Sequence, residues 1–185
     1  MAYKKLLSII DYQNDFVSGS LGFDGAETLD AGISKLAQEY LAMGHPILVT
    51  YDTHDDNYKN TREGRYLPVE HCNPNTEGWQ LYGKTQELIS GTCATNLIFP
   101  IRKTTFGIAP EDMVELKQSM GELDEIQVVG LVSNMCVLSN VCVLQAAWPE
   151  AQLIVDADLC ASFDSVLHKK TLDILKGIQV EVTHY

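Results

Sequence analysis

Apolar positions along the chain follow two alternating rhythms. Short continuous apolar runs, closed by polar or turn-forming residues, mark buried strands, and stretches with apolar positions three and four apart mark helices. Leu6-Leu7-Ser8-Ile9-Ile10 is the first run and stops at Asp11; Ile47-Leu48-Val49-Thr50-Tyr51 is the second and stops at Asp52. Between them, Leu29, Ile33, Leu36, Ala37 and Tyr40 recur at helical spacing, predicting a helix over 26–43 that Gly44 and Pro46 terminate. The same reading predicts strands at 96–101, 126–129, 152–155 and 179–182, and helices at 81–89, 110–120, 136–147 and 165–176. Pro110 with Glu111 and Asp112 is a helix-start signal, and Gly177 is a stop.

Strands alternating with helices predict an α/β chain: one doubly wound, Rossmann-like domain over 1–185, a six-stranded parallel sheet with helices on both faces in three layers. Right-handed crossovers then gather the strand C-termini along one edge, where ligands of such sheets bind. Asp11, Asp52, Lys103 and the turn over 130–136 all fall at that edge. The stretch 52–80 lacks periodicity and is rich in turn formers, a length of loop that is usually functional.

Charge narrows the choice of function. Lys and Arg number 13 against 25 Asp and Glu, a net charge of −12 with no basic run, which argues against nucleic-acid binding. No apolar run approaches the roughly 18 residues that span a bilayer, so no membrane segment is expected. The opening Met1-Ala2-Tyr3-Lys4-Lys5-Leu6 turns acidic at Asp11 before a secretory apolar core can form, and a cytoplasmic location is the expectation. Cysteines at 72, 93, 136, 142 and 160 form no CxxC pair, as suits reduced thiols.

Among these, Cys136 is the candidate nucleophile, because a strand, a glycine-led turn and a helix start favour a thiolate; the alternative is a buried packing cysteine. Cys142 and Cys160 read as packing residues. Asp11 is placed to move a proton, or else to cap a turn, and Lys103 either holds thiolate and carboxylate in register or is solvated. Asp52 and His54 point the same way in an extended strand end, so one cation could take both, with His71 folding back from the loop. Two satisfied loop histidines would give the same pattern.

Three motifs connect these residues. Ile10-Asp11-Tyr12-Gln13-Asn14-Asp15-Phe16, Arg102-Lys103-Thr104-Thr105-Phe106 and Gly130-Leu131-Val132-Ser133-Asn134-Met135-Cys136-Val137 resemble, in order, the motifs of the isochorismatase-like cysteine hydrolases. The resemblance implies an Asp11–Lys103–Cys136 triad and a cis peptide at Leu131–Val132. It also implies an oxyanion hole from the Val132 and Cys136 N–H groups, with Ser133 where the family often has Thr. Asp52, His54 and His71 resemble the metal site of the family's nicotinamidases, which isochorismatases proper lack. The implied cofactor is a divalent ion, zinc or else manganese or iron.

The chain departs from that pattern at Leu67-Pro68-Val69-Glu70-His71, where nicotinamidases commonly pair prolines. Glu63 is the candidate fourth ligand, with Glu70 or water as alternatives. Phe16, Phe106 and Ser133 are the candidate pocket residues. The implied activity is thiol-dependent hydrolysis of a small carboxamide, nicotinamide first, in a homo-oligomer. The alternatives are hydrolysis of another amide or carbamoyl compound, or a non-catalytic ligand-binding member of the fold.

Overall fold

The computed structural model describes residues 4–92 and 96–185, so Met1 to Tyr3 and Cys93 lie outside the described residues. Six parallel strands form one sheet: β1 Lys5–Ile10, β2 Ile47–Asp52, β3 Ile98–Lys103, β4 Glu125–Leu131, β5 Gln152–Ala161 and β6 Glu181–Thr183. Their order is β3-β2-β1-β4-β5-β6, which reverses direction between β1 and β4. That reversal opens the crevice in which doubly wound sheets bind ligands.

Seven α-helices accompany the strands among the described residues: α1 Asn14–Val17, α2 Asp30–Ala42, α3 Arg62–Tyr66, α4 Gly83–Thr92, α5 Pro110–Met120, α6 Leu138–Ala147 and α7 Ser165–Gly177. The pleat of β1 divides the core. Leu6 and Ile10 pack with α5, α6 and α7 through Leu116, Leu144 and Leu172, whereas Leu7 and Ile9 pack with α2 and α4 through Ile33 and Ile89. Side chains two apart share a face, so one strand feeds both layers of the three-layer fold.

The fold follows the alternation in the sequence, with differences at element ends. The helix expected over 26–43 opens as a 3-10 turn, Ala26–Leu29, before α2. The 52–80 excursion contains a second 3-10 turn, Tyr58–Asn60, and α3; both are too short to show a period. The third strand lies two residues later than expected and so includes Lys103 itself. β4 continues through Gly130 to Leu131, where a turn was expected. β5 is ten residues rather than four: pairing shifts between Val128 and Gly130 and resumes at Cys160 and Ala161, and the acidic residues at the irregularity mask the strand in the sequence. The last strand starts after Gln179, whose φ of 69° makes it a turn residue.

Candidate active site and metal centre

Asp11 follows β1 with φ 44°, the left-handed region that aspartate tolerates better than most residues. The Thr50 hydroxyl donates to Asp11 Oδ1 at 2.6 Å and accepts from the Asp11 N–H at 3.1 Å, which fixes the carboxylate. Asp52 and Lys103 are register partners at the ends of β2 and β3. From there Lys103 Nζ reaches Asp11 Oδ2 at 2.6 Å, Asp52 Oδ1 at 3.2 Å and Cys136 Sγ at 3.6 Å. Asp11, Lys103 and Cys136 are therefore brought together, and all three are buried.

Cys136 lies in a π-helical turn, Ser133–Val137, which leads into α6, and not at the first turn of a regular α-helix. The Leu131–Val132 peptide before that turn is cis. Gly130, with φ 116°, pairs with Ile10 across the β1–β4 crevice, and a Cβ there would lie 2.2 Å from the Ile10 carbonyl oxygen. Asn140 braces the turn by donating to the Cys136 carbonyl at 2.8 Å and to the Phe106 carbonyl at 3.0 Å.

Charge is distributed unevenly here. Burial pushes the Cys136 thiol well above its usual value; Lys103 opposes this while Asp11 and Asp52 add to it. Burial therefore favours the neutral thiol, against the pull of the lysine and of the turn toward a thiolate. Burial also raises the Asp11 carboxyl, with Lys103 opposing. For Lys103, burial acts downward but is outweighed by Asp11, Cys136 and Asp52, so the ammonium is held charged well above the ordinary range.

Asp52 belongs to two clusters. Its Oδ1 faces Lys103, and its Oδ2 lies 3.0 Å from His54 Nε2 and 3.2 Å from His71 Nε2. Burial alone would raise the Asp52 carboxyl; Lys103 and the two imidazoles outweigh it and hold it well below the carboxylate range. Glu63 Oε1 is 3.6 Å from His54 Nε2, and the ligand atoms of Asp52, His54, Glu63 and His71 all lie within 4.8 Å of one another. Glu70 is elsewhere, paired with Lys59.

This donor set fits a divalent ion. Two carboxylates and two imidazoles are the ligands zinc, manganese and iron take. His71 Nδ1 lies 2.8 Å from the Val69 carbonyl, which turns Nε2 inward beside Asp52 Oδ2 as the nitrogen that would face a cation. Burial, then Asp52, push the Glu63 carboxyl up, a like-charge cost that a cation removes.

A cavity of about 360 Å³ joins the two clusters. Phe16, Leu21, Leu67, Phe106, Met135 and Phe163 give it apolar walls, while Cys136, Val132, Asp52, Glu63 and His71 lie on its lining. Ser133 is buried, does not line the cavity, and hydrogen-bonds His168 Nδ1 at 2.9 Å. A larger groove of about 590 Å³ follows edge strand β3 beside Tyr51, Trp79 and Glu115, and none of Asp11, Lys103 and Cys136 lines it. Phe163, Met135 and Thr50 escape motif reading because nothing in their local pattern separates them from core residues. Cys142 is exposed and so not a packing residue, whereas Cys160 is buried, with its thiol pushed up to about 12 by burial and then Asp156.

The profile of the isochorismatase domain matches residues 5–184. The chain belongs to the isochorismatase family. Family membership makes it a hydrolase by descent, and the match takes in the whole sheet. A curated relative, the uncharacterized isochorismatase family protein PncA of Bacillus subtilis strain 168, is 27% identical over 168 residues, 89% of this chain and 90% of that one. The crystal structure of nicotinamidase/pyrazinamidase PncA from Bacillus subtilis superposes with a TM-score of 0.88 at 27% identity, covering 97% of this chain and 98% of that chain. The Pyrococcus horikoshii pyrazinamidase, solved in complex with zinc, has a TM-score of 0.81 at 17% identity, covering 98% and 99%. At that identity the likeness is one of fold.

Proposed function

We propose that the protein hydrolyses a small, uncharged aromatic carboxamide, with nicotinamide the foremost candidate, through a thioester on Cys136. The observation that carries this reading is Lys103, whose one ammonium lies 2.6 Å from Asp11 and 3.6 Å from Cys136, the thiol that opens onto a cavity with apolar walls. Bacillus subtilis PncA, similar over nearly its full length, is a nicotinamidase and pyrazinamidase by its description, and this supports the same chemistry here.

Asp11 accepts the proton of the Cys136 thiol as sulfur attacks the amide carbonyl, since a thiol raised by burial is neutral until a base takes its proton. The N–H groups of Val132 and Cys136 hold the oxyanion, a contribution worth roughly 2.7–4 kcal/mol per donor in comparable sites. Asp11 then passes its proton to the departing nitrogen, ammonia leaves, and the acyl group stays on sulfur. Asp11 next deprotonates water, hydroxide cleaves the thioester, and the proton returns to sulfur with release of the acid. Lys103 keeps its proton throughout and offsets the carboxylates of Asp11 and Asp52.

Asp52, His54, Glu63 and His71 would hold the divalent ion, which supplies a Lewis-acid point for a ring nitrogen of the substrate. Phe16, Phe106 and Phe163 give the ring apolar contact. Among the described residues no arginine or lysine lines the cavity, so no side-chain cation there pairs with a substrate carboxylate, which disfavours carbamoyl amino acids.

Ammonia release from an amide panel headed by nicotinamide tests the proposal, with Cys136→Ala and metal-stripped protein as controls. The expected result is turnover of nicotinamide, lost in Cys136→Ala by at least about 10³-fold with the fold retained by circular dichroism. Full activity of that variant removes the nucleophile assignment, and turnover of a different amide alone moves the substrate.

A further inference from the structure

Three residues that follow Asp11 take no part in this reaction, yet each is bound to the loops that carry the metal ligands. Gln13 is fully buried, and its side-chain amide closes on the main chain of Asp52 from both sides. Gln13 Oε1 accepts from the Asp52 N–H at 2.8 Å, and Nε2 donates to the Asp52 carbonyl at 3.0 Å and to the Trp79 carbonyl at 2.8 Å. Asn14 Nδ2 donates to the Glu77 carbonyl at 2.7 Å. Asp15 Oδ2 accepts from the N–H of Cys72 at 2.6 Å, the residue directly after His71, which has a φ of 50°. Gly78 closes the other side of that carboxylate, for a Cβ there would stand 2.3 Å from Asp15 Oδ2.

These bonds have one geometric consequence. Asp52 must aim one oxygen at Lys103 and the other at two imidazoles, a double constraint that a small rotation of its backbone breaks. A metal ligand set is held to productive geometry by the groups behind it. We propose that Gln13 and Asp15 are positioning residues for the divalent ion: Gln13 fixes the main chain of Asp52 and Asp15 fixes that of His71 through Cys72, so the turn that follows Asp11 is the template for the metal centre. The inference rests on the metal reading of the four ligands and is independent of which amide is cleaved.

The test is direct zinc binding by the full-length apo protein, read by competition with a chromophoric chelator. Gln13→Glu is nearly isosteric and keeps an acceptor for the Asp52 N–H while losing both donors. Asp15→Leu loses the acceptor for the Cys72 N–H, and Asp15→Asn retains one. The expected outcome is affinity weakened about 10–100-fold in Gln13→Glu and Asp15→Leu, the range typical of lost support behind metal ligands, and rescue to within a few-fold in Asp15→Asn. Melting curves of apo and zinc-loaded proteins give the second readout, since a positioning role shrinks the zinc-induced rise in Tm. A purely structural role lowers both curves alike and leaves affinity unchanged, and that result overturns the proposal. If Asp15→Leu does not fold, Gln13→Glu decides alone, and wild-type affinity in that variant overturns the proposal equally. Failure of the wild-type chain to take up zinc, manganese or iron is a different result and removes the metal reading itself.

Discussion

Lys103 is a buried cation shared by two carboxylates and a thiol, and its loss leaves Asp11 without a cationic partner and Asp52 with the two imidazoles alone. Breaking a buried pair by removing one partner costs about 3–5 kcal/mol, so Lys103→Met should lower the urea midpoint accordingly. Because the folded lysine is held above its ordinary 10.5, its contribution is complete below that pH and is lost only as pH rises through the higher folded value. The stability gap between wild type and variant is therefore flat through neutral pH and closes only in strong alkali. Asp11 governs the acid side of activity. Burial raises its carboxyl above the ordinary 3.8, and it must be ionised to act as base, so kcat/KM should fall with an apparent pKa above 3.8. An acid limb at or below 3.8 would count against Asp11 in that role. The strand-end position of all three groups was legible in the sequence; the depth of burial that pushes the thiol up was not, since desolvation is a property of the packed site.

Elements place these groups through a few backbone devices. Gly130 lets β4 lie against β1 where the crevice opens, and Gly130→Ala sets a Cβ against the Ile10 backbone at a φ that alanine rarely adopts. Such strain costs on the order of 1–3 kcal/mol, and since the cysteine turn follows directly, kcat should fall together with the denaturation midpoint. Asp164 caps α7 by accepting from the N–H groups of Val166 and Leu167, both at 2.9 Å, so Asp164→Ala should cost about 1 kcal/mol in equilibrium unfolding. The bounds of α5 matched the sequence because proline and two acidic residues mark its start. α1 and α3 went unseen because four or five residues cannot express a helical period.

At the scale of the molecule, the metal cluster joins the end of β2 to the 52–80 excursion, so loading should stabilise the whole fold by mass action. Free ion at one hundred times Kd contributes about 2.7 kcal/mol, and a chain of this size gains about 2–4 °C per kcal/mol. Chelation should lower Tm by that amount and re-addition of zinc restore it; an unchanged melt counts against the site. On the proposed chemistry, stripping should also raise KM more than it slows acylation, read by single-turnover kinetics.

Local sequence determined the alternation of strands and helices, the acidic surface, and which polar residues stand at strand ends, because each is written in periodicity and short motifs. Tertiary structure alone decided the rest. Asp52 serves lysine and histidines at once, Glu63 rather than Glu70 stands beside the two histidines, and Phe163 reaches the cavity from the β5–α7 connection, because these relations join residues far apart in sequence. The sheet order that brings β1 beside β4 is the physical cause, since it sets Asp11 and the Cys136 turn on opposite sides of one crevice.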